Sequence, residues 1–253
     1  MQIRFHVDLQ EINLRNLLKN GAFQFVDDAT PWFPYTSGQI GPYYFQSIAI
    51  EKDGPAYATA IRSLVALIQA EAGTFDVISG GETRDWDFSN PVAVTLQKPH
   101  LKLYKDGKTL GADIAGKTVL HIADLNNEGS SLRDYWKPHI EKNKGRLIGF
   151  VSFVDRLEDG VSVLKALRLP ALSVVSLNGQ AWDLMLKEGY VSQSVHHALI
   201  ARMQDKHAWA LRALRAHPEF FFKLYRNPKT QAKAAKIMLT YPDIRTELEA
   251  MVQ

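Results

Sequence analysis

One stretch in the middle of the chain combines an apolar run, a single acid and a turn of small polar residues. Residues 119–123 have the length of a buried strand, and Asp124 follows them. A polar turn with Gly129, Ser130 and Ser131 then leads into a helical pattern. Such a turn gathers backbone N–H groups at a helix N-terminus, which suits a phosphate, while the acid would face ribose hydroxyls or magnesium. The residues equally fit an ordinary strand-to-helix turn capped by Asp124 or Ser131.

Cationic residues follow two other apolar runs. Lys105 and Lys108 lie in a segment, residues 105–116, whose three glycines and few apolar anchors predict a loop that is mobile without ligand. Arg156 follows the run at 147–154. Ligands of parallel sheets bind outside the carboxyl ends of the strands, so the loops that carry these residues are where a ligand is expected. The lysines also fit a solvated pair of loop charges, and Arg156 fits a surface ion pair with its neighbour, which contributes little stability.

The elements that would position these residues alternate between strands and helices. Apolar runs of strand length occur in series, and stretches of helical periodicity lie between several of them. This order predicts an α/β fold with a mostly parallel sheet flanked by helices. The predicted strands are residues 75–79, 101–104, 118–123 and 147–154, and the predicted helices are 8–20, 54–73, 90–97, 131–142 and 161–167.

From residue 182 to the end the pattern is helical and contains no strand. Apolar residues recur at helical spacing and are separated by Pro218, Pro228 and Pro242. The sequence predicts an appended bundle of three or four short helices whose apolar side chains must be buried. Basic residues interleave with aromatic ones around 220–236, which is one pattern for binding nucleic acid, but an amphipathic helix pair with a solvated basic face is the preferred interpretation.

Composition excludes several classes of protein. The 253 residues contain no cysteine, so disulfides, thiolate catalysis and cysteine metal sites are excluded. Acids interrupt the apolar residues at the start, which argues against a secretion signal. No apolar run approaches the roughly 20 residues that span a bilayer. We therefore expect a cytoplasmic protein with no membrane segment; a net charge of +3 is too small to indicate a nucleic-acid partner.

In their order and spacing, these segments resemble the orotate phosphoribosyltransferases, a family of type I phosphoribosyltransferases. The resemblance covers about residues 8–192, so it implies a phosphoribosyltransferase-like domain at 1–192 and a C-terminal helical extension at 193–253. The residues that match the family's opening pattern, flexible loop, diphosphate motif and Asp-Arg pair are Phe33, Ser37, Gly38, Pro42, Tyr43, Tyr44, Phe45, Lys105, Lys108, Gly111, Asp124, Gly129, Ser130, Ser131, Asp155 and Arg156.

The resemblance implies an activity and roles for individual residues. The family transfers a phosphoribosyl group from 5-phosphoribosyl diphosphate to a pyrimidine base, in pyrimidine nucleotide synthesis, so magnesium is implied if this chain is active, as is a homodimer. No protein ligand to a metal is assigned. The implied catalytic residues are Lys105 and Lys108 at the pyrophosphate and Asp124 at the ribose, and the implied substrate-binding residues are Asn127, Gly129, Ser130 and Ser131 at the 5-phosphate, Arg156 at the base, and Tyr43 and Tyr44.

Several positions depart from the family's pattern, and two of the replacements are acidic. Glu128 replaces a small hydroxyl residue in the phosphate turn, and Asp85 stands where the family generally has glycine. Two like charges ~4 Å apart repel by about 4 kcal/mol at an effective dielectric constant of 20. The alternatives are therefore an impaired homologue that binds or regulates a partner through its C-terminal helices, and an enzyme with a less anionic substrate. The other replacements are Thr36, Tyr104, Leu110 and Ala123.

Overall fold

The computed structural model describes residues 2–250, with side chains from residue 6 onward, and these residues form two compact units. The first unit consists of Met1–Ala22 and Gln46–Ala181, and the second of Phe23–Phe45 and Trp182–Gln253. This division differs from the boundary expected after residue 192. The reason is that Trp32 and Ile40 share one hydrophobic core with the C-terminal helices.

The helices and strands have the following bounds. The strands are β1 (Phe23–Phe25), β2 (Phe33–Pro34), β3 (Ile40–Gly41), β4 (Tyr43–Phe45), β5 (Val77–Gly81), β6 (His100–Leu103), β7 (Thr109–Gly111), β8 (Thr118–Asn126), β9 (Arg146–Asp155) and β10 (Ala171–Ser176). The α-helices are α1 (Gln2–Lys19), α2 (Gly54–Glu71), α3 (Asp85–Thr95), α4 (Lys137–Lys142), α5 (Asp159–Ala166), α6 (Gly179–Lys187), α7 (Gln193–Gln204), α8 (Lys206–Ala216), α9 (Pro218–Arg226), α10 (Gln231–Thr240) and α11 (Pro242–Ala250). A 3-10 helix spans Ser47–Lys52, and a π-helical turn spans Leu132–Trp136.

A six-stranded sheet forms the first unit, in the order β10-β9-β8-β5-β6-β7. Every neighbouring pair is parallel except β6 and β7, which are antiparallel. The predicted mostly parallel α/β fold is therefore confirmed. The four predicted strands correspond to β5, β6, β8 and β9, whereas β7 and β10 were not predicted. In β10, serines interrupt the apolar residues and only two of its six residues are buried, so its sequence lacks the continuous apolar run of an inner strand.

The inner strands are buried on both faces, which explains their sequences. In β9 eight of ten residues are buried, and in β8 only the first residue and Leu125 are partly exposed. Helices therefore cover both faces of the sheet, as the continuous apolar runs indicate. One side of this core includes Leu103, Val119 and Ile140, each of which is fully buried. Burying a side chain of this size contributes about 1.5–3 kcal/mol relative to exposure.

The segment predicted to be a mobile loop, residues 105–116, is partly an ordered strand. Leu101 pairs with Gly111 and Leu103 with Thr109, so β7 extends the edge of the sheet. Tyr104 N donates to Lys108 O at 3.0 Å and closes the turn between β6 and β7. At Gly111, with φ of +115°, an added Cβ would lie 2.2 Å from the His100 carbonyl oxygen. The prediction that the whole segment is a loop is therefore wrong. The strand was missed because its three residues are too few to give a periodic pattern in the sequence.

The second unit contains two small antiparallel pairs, β1 with β4 and β2 with β3, and the C-terminal helices. The absence of strands is confirmed for residues 182–250, but three or four helices were expected in the bundle, whereas α7–α11 alone are five among the described residues. The structure divides one predicted helical stretch because Asp205 accepts a hydrogen bond from Ala208 N and caps α8. The core of this unit contains Trp32, Ile40, Trp209, Ala210, Leu214, Phe221, Ala234, Ile237, Tyr241, Ile244 and Leu248.

Polar contacts hold the second unit's short strands against its helices. The buried Arg202 donates from Nε to the Ile40 carbonyl oxygen at 3.1 Å, and the Tyr241 hydroxyl accepts from Ile40 N at 3.2 Å. Lys236 Nζ donates to Thr36 O at 3.0 Å. These bonds satisfy main-chain groups that the two-residue strands cannot pair among themselves. Among residues 2–250, no helix is both long and apolar enough to cross a membrane.

Candidate functional site

The candidate site lies in the first unit, where β5 and β8 end side by side. The two strands are parallel neighbours, with Ile78 opposite Leu120 and Ser79 opposite His121. The loops that follow them therefore emerge at the same edge of the sheet, which is where ligands of such folds bind. The β5 loop leads into α3, and the β8 loop leads into the π-helical turn before α4.

The loop after β8 forms a tight turn that depends on a glycine and leads into helical structure. Gly129 has φ of +66°, a left-handed conformation that favours glycine. Asn127 O accepts from Gly160 N at 2.8 Å, and Gly129 O accepts from Arg133 N at 3.1 Å, so the turn passes directly into helical structure. Ser130 and Ser131 are half-buried in this turn. The predicted strand–turn–helix is present, although β8 runs to residue 126, so Asp124 lies two residues before the strand's end.

Asp124 is buried and surrounded by polar partners. The Ser47 hydroxyl donates a short hydrogen bond to Oδ2 of Asp124. Burial, followed by the negative charge of Asp85, raises the pKa of the Asp124 carboxyl from 3.8 to about 7. A hydrogen bond with the Asp85 side chain also favours the protonated form. The acid that was predicted to contact the ribose is therefore a neutral or partly neutral carboxyl near pH 7.

Asp85 accepts hydrogen bonds from backbone N–H groups near the carboxyl ends of β5 and β8. Its Oδ2 accepts from Gly81 N at 3.0 Å, and its Oδ1 accepts from Asp124 N at 3.1 Å. The same Oδ2 lies 3.5 Å from His121 Nε2, which is an ionic contact when the histidine is protonated. A carboxylate that accepts two backbone N–H bonds is held in one position. In this way the chain places its own carboxylate against backbone donors of both strands.

A buried histidine completes this network, and sequence reasoning missed it. His121 lies in β8, is fully buried, and hydrogen-bonds through Nδ1 to Ser79 Oγ at 3.0 Å. Its ring stacks near Trp136 and Phe150, with centroid distances of 6.4 and 5.9 Å. Ser79, His121 and Asp85 thus form a chain of contacts beneath the strand ends. A single polar residue inside an apolar run was the signal that could have identified it.

Three cations lie on the loops around the site. Lys105 and Lys108, the predicted pyrophosphate contacts, are exposed on the turn between β6 and β7. Lys105 Nζ lies 5.9 Å from the Tyr135 ring centroid, and Lys108 Nζ lies 5.3 Å from that of Tyr104. The third cation, Arg84, was not predicted: it is exposed in the loop after β5, and its charge lowers the pKa of Asp124, against the larger effects that raise it.

Arg156, the predicted contact to the base, is buried and paired within the protein. Its guanidinium lies 2.8 Å from Oε1 of Glu158, and its backbone N donates to Asn126 O at 3.0 Å. Asp155 accepts instead from Asn126 Nδ2 at 3.0 Å and Leu157 N at 2.7 Å. The alternative interpretation, a surface ion pair between Asp155 and Arg156, is therefore wrong, because the side chain turns inward to Glu158. Burial also raises the pKa of Asp155.

The two predicted tyrosines belong to the second unit. Tyr43 is 3% exposed, packs on Trp182 with a centroid distance of 5.3 Å, and accepts at its carbonyl oxygen from the Tyr35 hydroxyl. Tyr44 is 37% exposed and lies 6.3 Å from the Phe33 ring. Tyr43 is therefore a core residue of this unit, and only Tyr44 presents a ring to solvent.

The protein donors do not fit a dedicated magnesium site. Among residues 2–250, no three His, Asp or Glu side chains are grouped to hold a metal ion. Magnesium prefers ionised carboxylates in octahedral geometry. Burial raises the pKa of Asp124, near the end of β8, to about 7, so this acid is not a fully ionised carboxylate near neutrality. Burial also raises the pKa of Asp155 at the end of β9.

Comparison with known proteins identifies the fold. No protein-family model matches the chain. Over 168 residues, 64% of this chain and 84% of the other, it is 24% identical to orotate phosphoribosyltransferase of Sulfurisphaera tokodaii. The crystal structure of orotate phosphoribosyltransferase from Francisella tularensis superposes with a TM-score of 0.62 at 19% identity, covering 75% of this chain and 96% of that one.

A second similar structure contains a ligand. The Mycobacterium tuberculosis orotate phosphoribosyltransferase in complex with 5-phospho-alpha-D-ribosyl 1-diphosphate has a TM-score of 0.51 at 20% identity, covering 65% of this chain and 94% of that one. The resemblance that the motifs indicate is thereby confirmed at the level of the fold. The chain has the fold of the orotate phosphoribosyltransferases, with additional C-terminal helices.

Proposed function

We propose that this is an orotate phosphoribosyltransferase-like protein that binds a phosphoribosyl ligand at the turn 127–131 and catalyses little or no phosphoribosyl transfer. The turn supports the binding half of the proposal, because it follows the central strand and has a left-handed glycine and two serines. The hydrogen bonds that Asp85 accepts from Gly81 N and Asp124 N support a low rate of phosphoribosyl transfer, and they are the main observation behind the proposal.

The Asp85 carboxylate opposes pyrophosphate in two ways. It uses the N–H groups of Gly81 and Asp124, which are no longer available to a ligand. It also adds a negative charge beside the proposed position of the pyrophosphate leaving group, which itself carries several negative charges. Removing one preorganised donor commonly lowers turnover by about 10²–10³. The pairing of Arg156 with Glu158 adds to this loss, since the cation expected at the base is already neutralised.

The binding half is tested by titration calorimetry with ribose 5-phosphate and a matched pair of variants. Ser131→Asp places a negative charge in the proposed phosphate turn, and we expect it to weaken binding by roughly tenfold or more. Ser194→Asp makes the same change at an exposed serine in the first turn of α7 in the second unit. The control should change affinity by less than about twofold, because its charge is exposed to solvent and screened by salt.

Two outcomes would contradict the proposal. If the wild-type protein does not bind ribose 5-phosphate at millimolar concentration, no phosphoribosyl site exists at this turn. If both variants weaken binding equally, the effect is one of net charge and the site lies elsewhere. Circular dichroism of each variant excludes unfolding as the cause.

A second candidate is an active transferase that joins a pyrimidine base to 5-phosphoribosyl diphosphate. The similarity to the Sulfurisphaera tokodaii enzyme and the exposed cations Arg84, Lys105 and Lys108 favour it. Under this candidate the metal would be magnesium carried by the diphosphate rather than held by the protein, and a homodimer is proposed with it. Ordinary turnover of orotate distinguishes this candidate from the first.

A further inference from the structure

We infer that the ligand of this site carries a single phosphate and no second anionic group: a pentose 5-phosphate, free or with an uncharged substituent at C1, rather than a sugar diphosphate. The inference rests on the proposed function, because it assumes that the 5-phosphate lies at the turn 127–131. It goes further in assigning the chemical class of the group at the other end of the sugar.

The Asp85 carboxylate is the main reason. It is fixed by bonds from Gly81 N and Asp124 N, and it has His121 Nε2 at 3.5 Å. His121 is itself held by Ser79 through Nδ1, and its Nε2 makes no hydrogen bond, so the hydrogen bonds that hold the carboxylate come from backbone N–H groups of the two strands. A group bound this firmly does not move aside for a ligand. Whatever lies beside it must tolerate an adjacent negative charge.

The position of Asp85 relative to the turn matches the length of a phosphorylated sugar. A strand rises ~3.3 Å per residue, so Asp124 N and the start of the turn at Asn127 are separated by about 10 Å. A pentose whose 5-phosphate lies in the turn therefore extends along the end of β8 toward Asp124 and Asp85. Its C1 substituent then lies close to the carboxylate. A diphosphate at C1 would bring several negative charges there, whereas a hydroxyl would act as a hydrogen-bond donor to it.

Asp124, the other acid at the site, also suits the uncharged hydroxyl groups of a sugar. Asp124 receives a hydrogen bond from Ser47, and its pKa of about 7 leaves it partly protonated near neutrality. A protonated carboxyl both donates and accepts, which is what ribose hydroxyls require. Arg84 and the two lysines are exposed, so solvent and salt screen their attraction for a diphosphate. The partly buried Asp85 carboxylate is screened less than these exposed cations, so its repulsion of a diphosphate decides the preference.

The inference is tested by measuring the affinities of ribose 5-phosphate and of 5-phosphoribosyl diphosphate for the same protein, the latter with and without magnesium. We expect the wild-type protein to bind ribose 5-phosphate roughly tenfold or more tightly than the diphosphate. Asp85→Asn keeps an acceptor oxygen and removes the charge. This variant should bind the diphosphate roughly tenfold more tightly than wild type, with ribose 5-phosphate changed by less than about threefold.

Asp87→Asn is the matched control, since it removes an acid from the same helix two residues away that makes neither of the two backbone contacts. It should leave the ratio of the two affinities unchanged. If wild-type protein binds the diphosphate as tightly as ribose 5-phosphate, the inference is overturned while the proposed function stands. If neither ligand binds, both fall. The wild-type comparison decides the matter even if Asp85→Asn does not fold.

Discussion

Replacing Asp124 with asparagine should change how the stability of the first unit depends on pH. The asparagine side chain keeps an oxygen for the Ser47 hydroxyl but cannot ionise. In the folded protein, burial and the charge of Asp85 raise the pKa of Asp124 from 3.8 to about 7. Between those values the folded state retains a proton that the unfolded state has released. Wild-type stability is therefore lost as the pH rises through this window, and the variant avoids that loss.

The size of the effect follows from the two pKa values. With 1.36 kcal/mol per pKa unit, the wild-type protein should lose about 2.5 kcal/mol between about pH 5 and pH 8 through this one group. His100 acts in the opposite direction: burial lowers its pKa to about 4, so its contribution is lost as the pH falls below its usual value of 6.5. The quantity to compare is therefore the difference between variant and wild type, in which His100 cancels.

Urea unfolding followed by tryptophan fluorescence at several pH values measures this difference. The free energy of unfolding of Asp124→Asn minus that of wild type should rise by about 2.5 kcal/mol from pH 5 to pH 8. Asp28→Asn, at an exposed position in the second unit, controls for the substitution itself. A difference that stays flat across this range would refute the reasoning, because Asp124 would then be ionised in the folded protein like any exposed acid.

Three further substitutions test other parts of the molecule. Glu128→Thr should strengthen ribose 5-phosphate binding by about tenfold in calorimetry, because it removes a charge from the turn. Arg202→Met should lower the free energy of unfolding by about 1–3 kcal/mol in urea, since the buried Ile40 carbonyl loses a donor. Gly38→Ala should lower the melting temperature more than Gly21→Ala does. Both glycines have positive φ, but only at Gly38 would the new Cβ meet another residue's backbone, 2.7 Å from a carbonyl oxygen.

The sequence predicted the elements that are determined by long apolar runs. The inner strands β5, β8 and β9 are buried on both faces, so their composition alone identifies them. The turn at Gly129 was predictable for a similar reason, because small residues between a strand and a helix have few other uses. Short elements were not predictable: β7 has three residues, and its pairing with β6 depends on the partner strand rather than on local pattern.

Contacts between distant residues account for most of what sequence reasoning missed at the site. Asp85 was identified as an unusual acid, but its bonds to Gly81 and Asp124 require the geometry of two strand ends. Arg156 was expected to reach a ligand, and only the structure places its guanidinium on Glu158. In both cases the sequence drew attention to the residue but did not predict which groups it contacts, because those contacts depend on how distant parts of the chain pack together.

The measurement that tests the central claim most directly is the rate of orotate consumption with 5-phosphoribosyl diphosphate and magnesium. If the Asp85 carboxylate occupies the donors that pyrophosphate needs, turnover should be at least about a hundredfold below an ordinary enzyme rate of about 10 per second. Phosphoribosyl transfer to orotate at about 10 per second would contradict the account, since the Asp85 carboxylate would then not hinder stabilisation of the leaving group.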